Sequence, residues 1–190
     1  DLRRAFGAWR GTAKEAPRPG PASSIPERVV VVDKPGATQT AMLVAQPFIT
    51  RADPAYEELN TMLLVFGGLF SSRLNMNLRE DKHWSYGARS SASGALGQRP
   101  WMAVAPVQID KTSDAMKEMQ AEISQFASGQ RPPTTDEVAR IRNIQTLSLP
   151  GAYETASAVM NTIGGIVRYQ RPDDYVFKRK AEIEAMTPAQ

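Results

Sequence analysis

The residues able to do chemistry are few. One histidine, His83, and no cysteine occur among 190 residues. Thiolate nucleophiles, disulfide frameworks and cysteine-ligated zinc are therefore excluded. The inverted zinc motif His-x-x-Glu-His needs two histidines on one helical face plus a carboxylate base, and a single histidine cannot supply it. A Ser-His-Asp arrangement would have to use His83, yet no serine stands in a Gly-x-Ser-x-Gly elbow. Gly67-Gly68 lacks the Gly-Lys-Ser/Thr of a phosphate loop, and Gly-x-Gly-x-x-Gly is absent. Neither a catalytic residue nor a metal-ligand set is thus expected in this chain, and the side chains alone support an α/β domain with no particular reaction.

The bulk numbers agree with that reading. Hydrophobic residues make up 42% and charged residues 23%, an ordinary globular balance. The formal net charge is +3, and the densest basic run, Lys178-Arg179-Lys180, is flanked by Asp173, Asp174, Glu182 and Glu184. That is a solvated helix face, which argues against nucleic acid as a partner. No apolar run reaches the roughly 20 residues of a membrane span.

The elements that must position any site follow from periodicity. Residues 1–26 read as a linker helix and a Pro-rich hinge, with Leu2, Ala5, Phe6 and Trp9 on one helical face within 1–11. The hinge is semi-rigid, containing Pro17, Pro19, Pro21 and Pro26. Trp9 is expected to bury against something, a neighbouring domain included. Residues 27–190 read as one domain. Arg28–Asp33, with four successive valines, predicts a strand that pairs antiparallel, across Lys34-Pro35-Gly36, with a second strand over 38–46. Asp53-Pro54 predicts a helix start, and apolar residues recur at helical spacing from Tyr56 to Phe70. Gly67-Gly68 falls inside that pattern, so the helix must break there or admit another backbone. Residues 84–95 and 99–109 predict a second strand pair. Trp101, Ala103, Ala105 and Val107 share one face, and Pro106 demands an edge or a bulge. Helices follow: one closing at Gly129, one opened by a Thr134/Glu137 capping box, one over 153–169 and one over 173–186. Strand pairs alternating with helices, without βαβ spacing, predict an α+β fold: an antiparallel sheet with helices packed on one face.

Residues 66–88 read FGGLFSSRLNMNLREDKHWSYGA. This string resembles a segment of the insulinase/pitrilysin-type zinc peptidases, in which a helix with a Gly-Gly break leads through Ser-Arg-Leu and Leu-Arg-Glu to a strand bearing tyrosine. The likeness extends more loosely over about 27–186, including the Pro-Pro-Thr-Thr-Asp-Glu helix start. It implies a LuxS/processing-peptidase-like half that has lost its metal and closes over substrate. A homologous half, fused or separate, would hold the zinc, and the substrate would be an unfolded peptide. The resemblance further implies that Arg79 and Tyr86 reach the substrate, since guanidinium and phenol both donate hydrogen bonds to a peptide carbonyl. The family has Gly-Leu in the turn between them where this chain has His83-Trp84. That bulkier turn either displaces Tyr86 or adds a wall to the substrate chamber.

Plainer roles stand beside these. Arg79 also suits a helix C-terminus, and Tyr86 suits a half-buried strand. Arg73 reads as a structural ion pair, His83 as a turn residue and Trp84 as packing. The functional expectation is a non-catalytic, substrate-binding and chamber-closing domain of a zinc endopeptidase, inactive on its own. The alternative is a structural or peptide-binding subunit of the same fold. A bacterial periplasm is the expected compartment, with the cytoplasm as the alternative.

Overall fold

The computed structural model describes residues 2–12, 20 and 23–188. Most of the proline hinge, including Pro17, Pro19 and Pro21, lies outside the described residues. The chain opens with a short helix, α1 (Leu2–Phe6). Within this chain Trp9 stays exposed, and among the described residues its ring meets Phe6, edge to face at 5.0 Å.

The sheet has three antiparallel strands in the order β1-β3-β2: β1 (Gln39–Phe48), β2 (Arg89–Ala92) and β3 (Arg99–Gln108). β1 and β3 pair over their whole length, from Gln39↔Gln108 to Phe48↔Arg99. Trp101, Ala103, Ala105 and Val107 of β3 face the core, as the alternation predicts. Between β1 and β2 run α2 (Tyr56–Leu63), a π-helical turn over Leu64–Gly68, α3 (Arg73–Asn75) and a second π-helical stretch over Met76–Asp81. After β3 come α4 (Thr112–Ala127), α5 (Thr135–Leu147), α6 (Ala156–Arg168) and α7 (Tyr175–Ala185). Phe66, Leu74 and Leu78 meet Ala115 and Met119 of α4 over the inner face of β3, making the main core. The fold is α+β, with helices packed on one face of a small antiparallel sheet.

Two strand predictions need correction. The four valines, Val29 to Val32, form no strand and remain 71–88% exposed. Helices cover one face of the sheet only, so pairing would bury at most alternate valines, and β-propensity alone does not secure a strand. The second pair is shorter than 84–95: β2 is paired only over Arg89–Ala92, with an isolated bridge Ser85↔Val107 ahead of it. A smaller shift affects the first long helix. Asp53 caps a turn, its Oδ1 accepting from the Ala55 N–H at 2.9 Å, and regular helix starts at Tyr56.

The Gly-Gly pair serves both expected purposes. A Cβ on Gly67 would lie 2.6 Å from the backbone nitrogen of Ser90 in β2, so glycine is required for the helix to touch the strand. Helical geometry then stops at Gly68, and Leu69 is extended at φ −124° and ψ 163°.

Arg73 locks α3 to the start of α5. Its Nε and Nη2 donate to the two Glu137 carboxylate oxygens at 2.7 and 2.6 Å, while Nη1 and Nη2 also donate to the carbonyls of Arg131 and Pro132. Glu137 simultaneously completes the capping box with Thr134. Burial works against the Glu137 charge, but Arg73 and the Thr134 N–H outweigh it and hold the carboxyl at about 2.

Two predictions follow from this packing. Gly67→Ala should destabilise the fold by about 2 kcal/mol or more through overpacking at Ser90. Gly164→Ala, in open space on α6, should raise stability by up to about 1 kcal/mol; urea unfolding reads both. Glu137 is depressed below its unfolded value of about 4.3, so its contribution is complete above that pH and fades as pH falls toward about 2. Glu137→Gln should therefore cost about 2–3 kcal/mol at neutral pH, with the gap to the parent narrowing on acidification.

Candidate functional site

The segment from Arg79 to Ala88 is built around a mismatch in the ladder. From Ser85 to Arg89 the chain takes four steps while β3 takes three, from Val107 to Val104. The extra residue is a β-bulge, which bends a strand and re-aims its side chains. Pro106 lies across from this gap and lacks an N–H with which to continue the ladder. The hydroxyl of Ser85 donates to the Pro106 carbonyl instead, and lies within hydrogen-bonding reach of the carbonyl of Gly87 at 3.0 Å and of its N–H at 3.2 Å. Ser85 thus pins both flanks of Tyr86. The tyrosine itself is 85% exposed, which removes the half-buried strand role, and it belongs to the bulge and not to the paired strand.

Asn75 anchors the other end. Its Oδ1 accepts from the Ala88 N–H at 3.0 Å, and its Nδ2 donates to the Phe70 carbonyl at 2.7 Å. This buried amide ties the bulge to the helical segment that carries Arg79. Sequence reading passed over Asn75 and Ser85; an interior asparagine after Ser-Ser-Arg-Leu was the one available signal, since buried amides demand partners.

Arg79 sits in the last turn of the π-helical stretch, a geometry that widens the helix. Its guanidinium lies 4.6 Å from the Phe70 ring centroid, and its Nε is 3.3 Å from Glu80 Oε1. Both groups of that ion pair are more than a third exposed, so the pair holds Arg79 weakly and leaves donors facing solvent. The carbonyl of Leu78 accepts from the N–H groups of Trp84 and Ser85, and that of Arg79 from the His83 N–H. The helix end therefore fixes where the Tyr86 bulge begins. Among the described residues no hydrogen bond or ring contact joins Arg79 to Tyr86, so the two flank one turn as separate donors.

The two turn residues part ways. Trp84 packs against the core with Lys82 5.4 Å over its ring. His83 stays exposed with φ 58°, a left-handed conformation that glycine adopts freely and histidine tolerates. Among the described residues no group of three or more His, Cys, Asp or Glu side chains is placed to hold a metal ion. His83→Gly should leave stability unchanged or raise it by up to about 1 kcal/mol, whereas the β-branched His83→Val should lose about 1–2 kcal/mol, as thermal unfolding will show.

Comparison with known proteins places the chain in a family. The family model described as the peptidase M16 inactive domain matches residues 1–145. A peptidase M16 inactive domain from Pseudomonas fluorescens is 21% identical and superposes with a TM-score of 0.72, covering 80% of this chain and 36% of that one. A protease from Helicobacter pylori is 15% identical with a TM-score of 0.71, covering 82% and 37%. A chain of Complex III2 from Candida albicans shares the fold at 13% identity and a TM-score of 0.63, covering 81% and 38%. The chain thus spans little more than a third of each of these structures, and no curated protein matches it. With the family model covering most of its length and no metal-binding group among its described residues, the chain belongs to the inactive domains of the M16 zinc peptidases, the non-catalytic half of that architecture.

Proposed function

We propose that this domain closes over an unfolded peptide held against a homologous, zinc-bearing half, and that Arg79 and Tyr86 donate hydrogen bonds to the peptide backbone. The observation carrying this reading is the bulge opposite Pro106. It spends a ladder position to expose a phenol next to a helix end that presents a guanidinium. Hydrogen bonds on both sides of Tyr86 fix where its exposed phenol stands. Among the described residues no group fits a zinc site, and on this reading the other half carries the metal while the role here is binding and orientation. A donor aimed at a peptide carbonyl contributes most where bulk water is excluded, which chamber closure would provide. The periplasm remains the proposed compartment.

A structural reading competes, favoured by the fold's occurrence in a chain of Complex III2. Under that reading substitution of Arg79 and Tyr86 would leave assembly intact, and no peptide would be cut.

Peptidase assays on the full-length protein with zinc separate the two. Arg79→Ala and Tyr86→Phe should each lower kcat/KM on the order of 10- to 100-fold, with the fold intact by circular dichroism. Unchanged turnover in both variants would overturn the site, and a full-length protein that cuts no unfolded peptide would favour the structural reading.

A further inference from the structure

A second constellation stands at the other end of the sheet. Arg51 follows β1, and its N–H donates to the Ala95 carbonyl in the loop joining β2 to β3. It therefore lies beyond the Trp101 end of β3, whereas Tyr86 lies by Val107. Those two positions are roughly 20 Å apart on a strand rising about 3.3 Å per residue. Between Arg51, α6 and α7 there is a cavity of about 340 Å³, the size of a small-ligand site.

Its wall carries four cations, Arg51, Arg171, Arg179 and Lys180, and no carboxylate. Behind them Glu57 accepts from Arg171, from Arg51 at 3.4 Å and from the Tyr175 hydroxyl at 3.0 Å. Arg179 is held by the Glu57 carbonyl, Thr61 and Glu182, and Lys180 pairs with Glu184. Four cations thus face three carboxylates, leaving one positive charge in excess. That balance suits a monoanion and disfavours a polyanion.

The guanidinium groups are also held rigid. Arg171 stacks 3.9 Å from the Tyr175 ring and 5.3 Å from Tyr169, and Arg51 lies 5.0 Å from Tyr169 and 5.1 Å from Tyr56. Burial and the adjacent Glu57 push the Tyr175 phenol up to about 12, so its proton stays in place to serve Glu57. Arg51 Nε is buried with no acceptor among the described residues. That nitrogen is closed off from the cavity, so a ligand would meet the outer guanidinium nitrogens, whose planar fork a carboxylate matches. Leu149, Ile166 and Val176 line the rest, offering an apolar bed next to the charge, and Asn161 adds an amide at the rim.

We propose that this cavity binds the carboxy-terminus of a peptide with an apolar last side chain, its carboxylate meeting Arg51 and Arg171. The site needs neither Arg79 nor Tyr86, and it goes beyond the role proposed for them. Charge selects the carboxylate, the apolar bed selects the side chain, and the exposed Asn161 meets the peptide amide that a simple fatty or aryl acid lacks.

Calorimetric titration of the full-length protein with N-acetyl-Leu-Phe tests this without reference to turnover. The free acid should bind at least 10-fold more tightly than its C-terminal amide, more tightly than phenylacetate, and inorganic phosphate should not displace it. Arg171→Met should abolish binding but also disturbs Glu57, so Gly165→Leu provides the cleaner variant. Gly165 lines the cavity and has open space around its missing Cβ, while the neighbouring Gly164 has the same space but does not line it. Gly165→Leu should remove binding with the fold retained, and Gly164→Leu should bind as the parent does. Equal binding of acid and amide, displacement by phosphate, phenylacetate matching the peptide, or full binding by Gly165→Leu would each overturn the assignment.

Discussion

The contact between Gly67 and Ser90 is the constraint from which the rest of the domain follows. With no side chain at Gly67, the end of the long helix rests directly on the backbone of β2. The helix cannot continue past that contact, so the chain extends at Leu69 and re-enters helix at Arg73 in a new direction. This redirection brings Asn75 over Ala88 and Leu78 over Trp84, and their hydrogen bonds shape the bulge. It also carries Arg73 to the mouth of α5, where one carboxylate both caps a helix and closes an ion pair. The Arg73 side chain is only 9% exposed, so the pair is worth having because two further donors find the Arg131 and Pro132 carbonyls.

The bulge and the glycine contact divide the strand between them. Ser90 belongs to the regular part of β2, which can be leaned upon because β3 backs it. Tyr86 belongs to the irregular part, which is free to face outward because Pro106 offers no N–H to hold it. A rigid support and an irregular tip on one strand are what a recognition element needs, since precision comes from the scaffold and reach from the departure.

Local physics made much of this readable in advance. The alternation in β3, the Thr134/Glu137 box and the Gly129 helix end, now seen at φ 71°, each follow from spacing within a few residues. Arg73 announced a structural pair, and Gly67-Gly68 announced both a break and a close approach. The failures share a cause. Val29–Val32 has every local mark of a strand, yet whether it pairs depends on which sheet face is covered, a property of the whole domain. The bulge arises from register between residues about twenty apart. The Glu57 hub joins positions more than a hundred residues distant, and nothing in the neighbourhood of Glu57, Arg171 or Tyr175 hints at the others.

That hub has a consequence for how the carboxy-terminal helices are held. α6 contributes no fully buried side chain and α7 only Ile183, so the last two helices are docked more by charge and stacked rings than by a shared apolar interior. The ion pairs to Glu57 are only 12–27% exposed, so salt screens them weakly and they carry much of the docking. A single glutamate, outside the apolar cluster that holds β3, thus gathers the Arg171 loop and α7 onto α2.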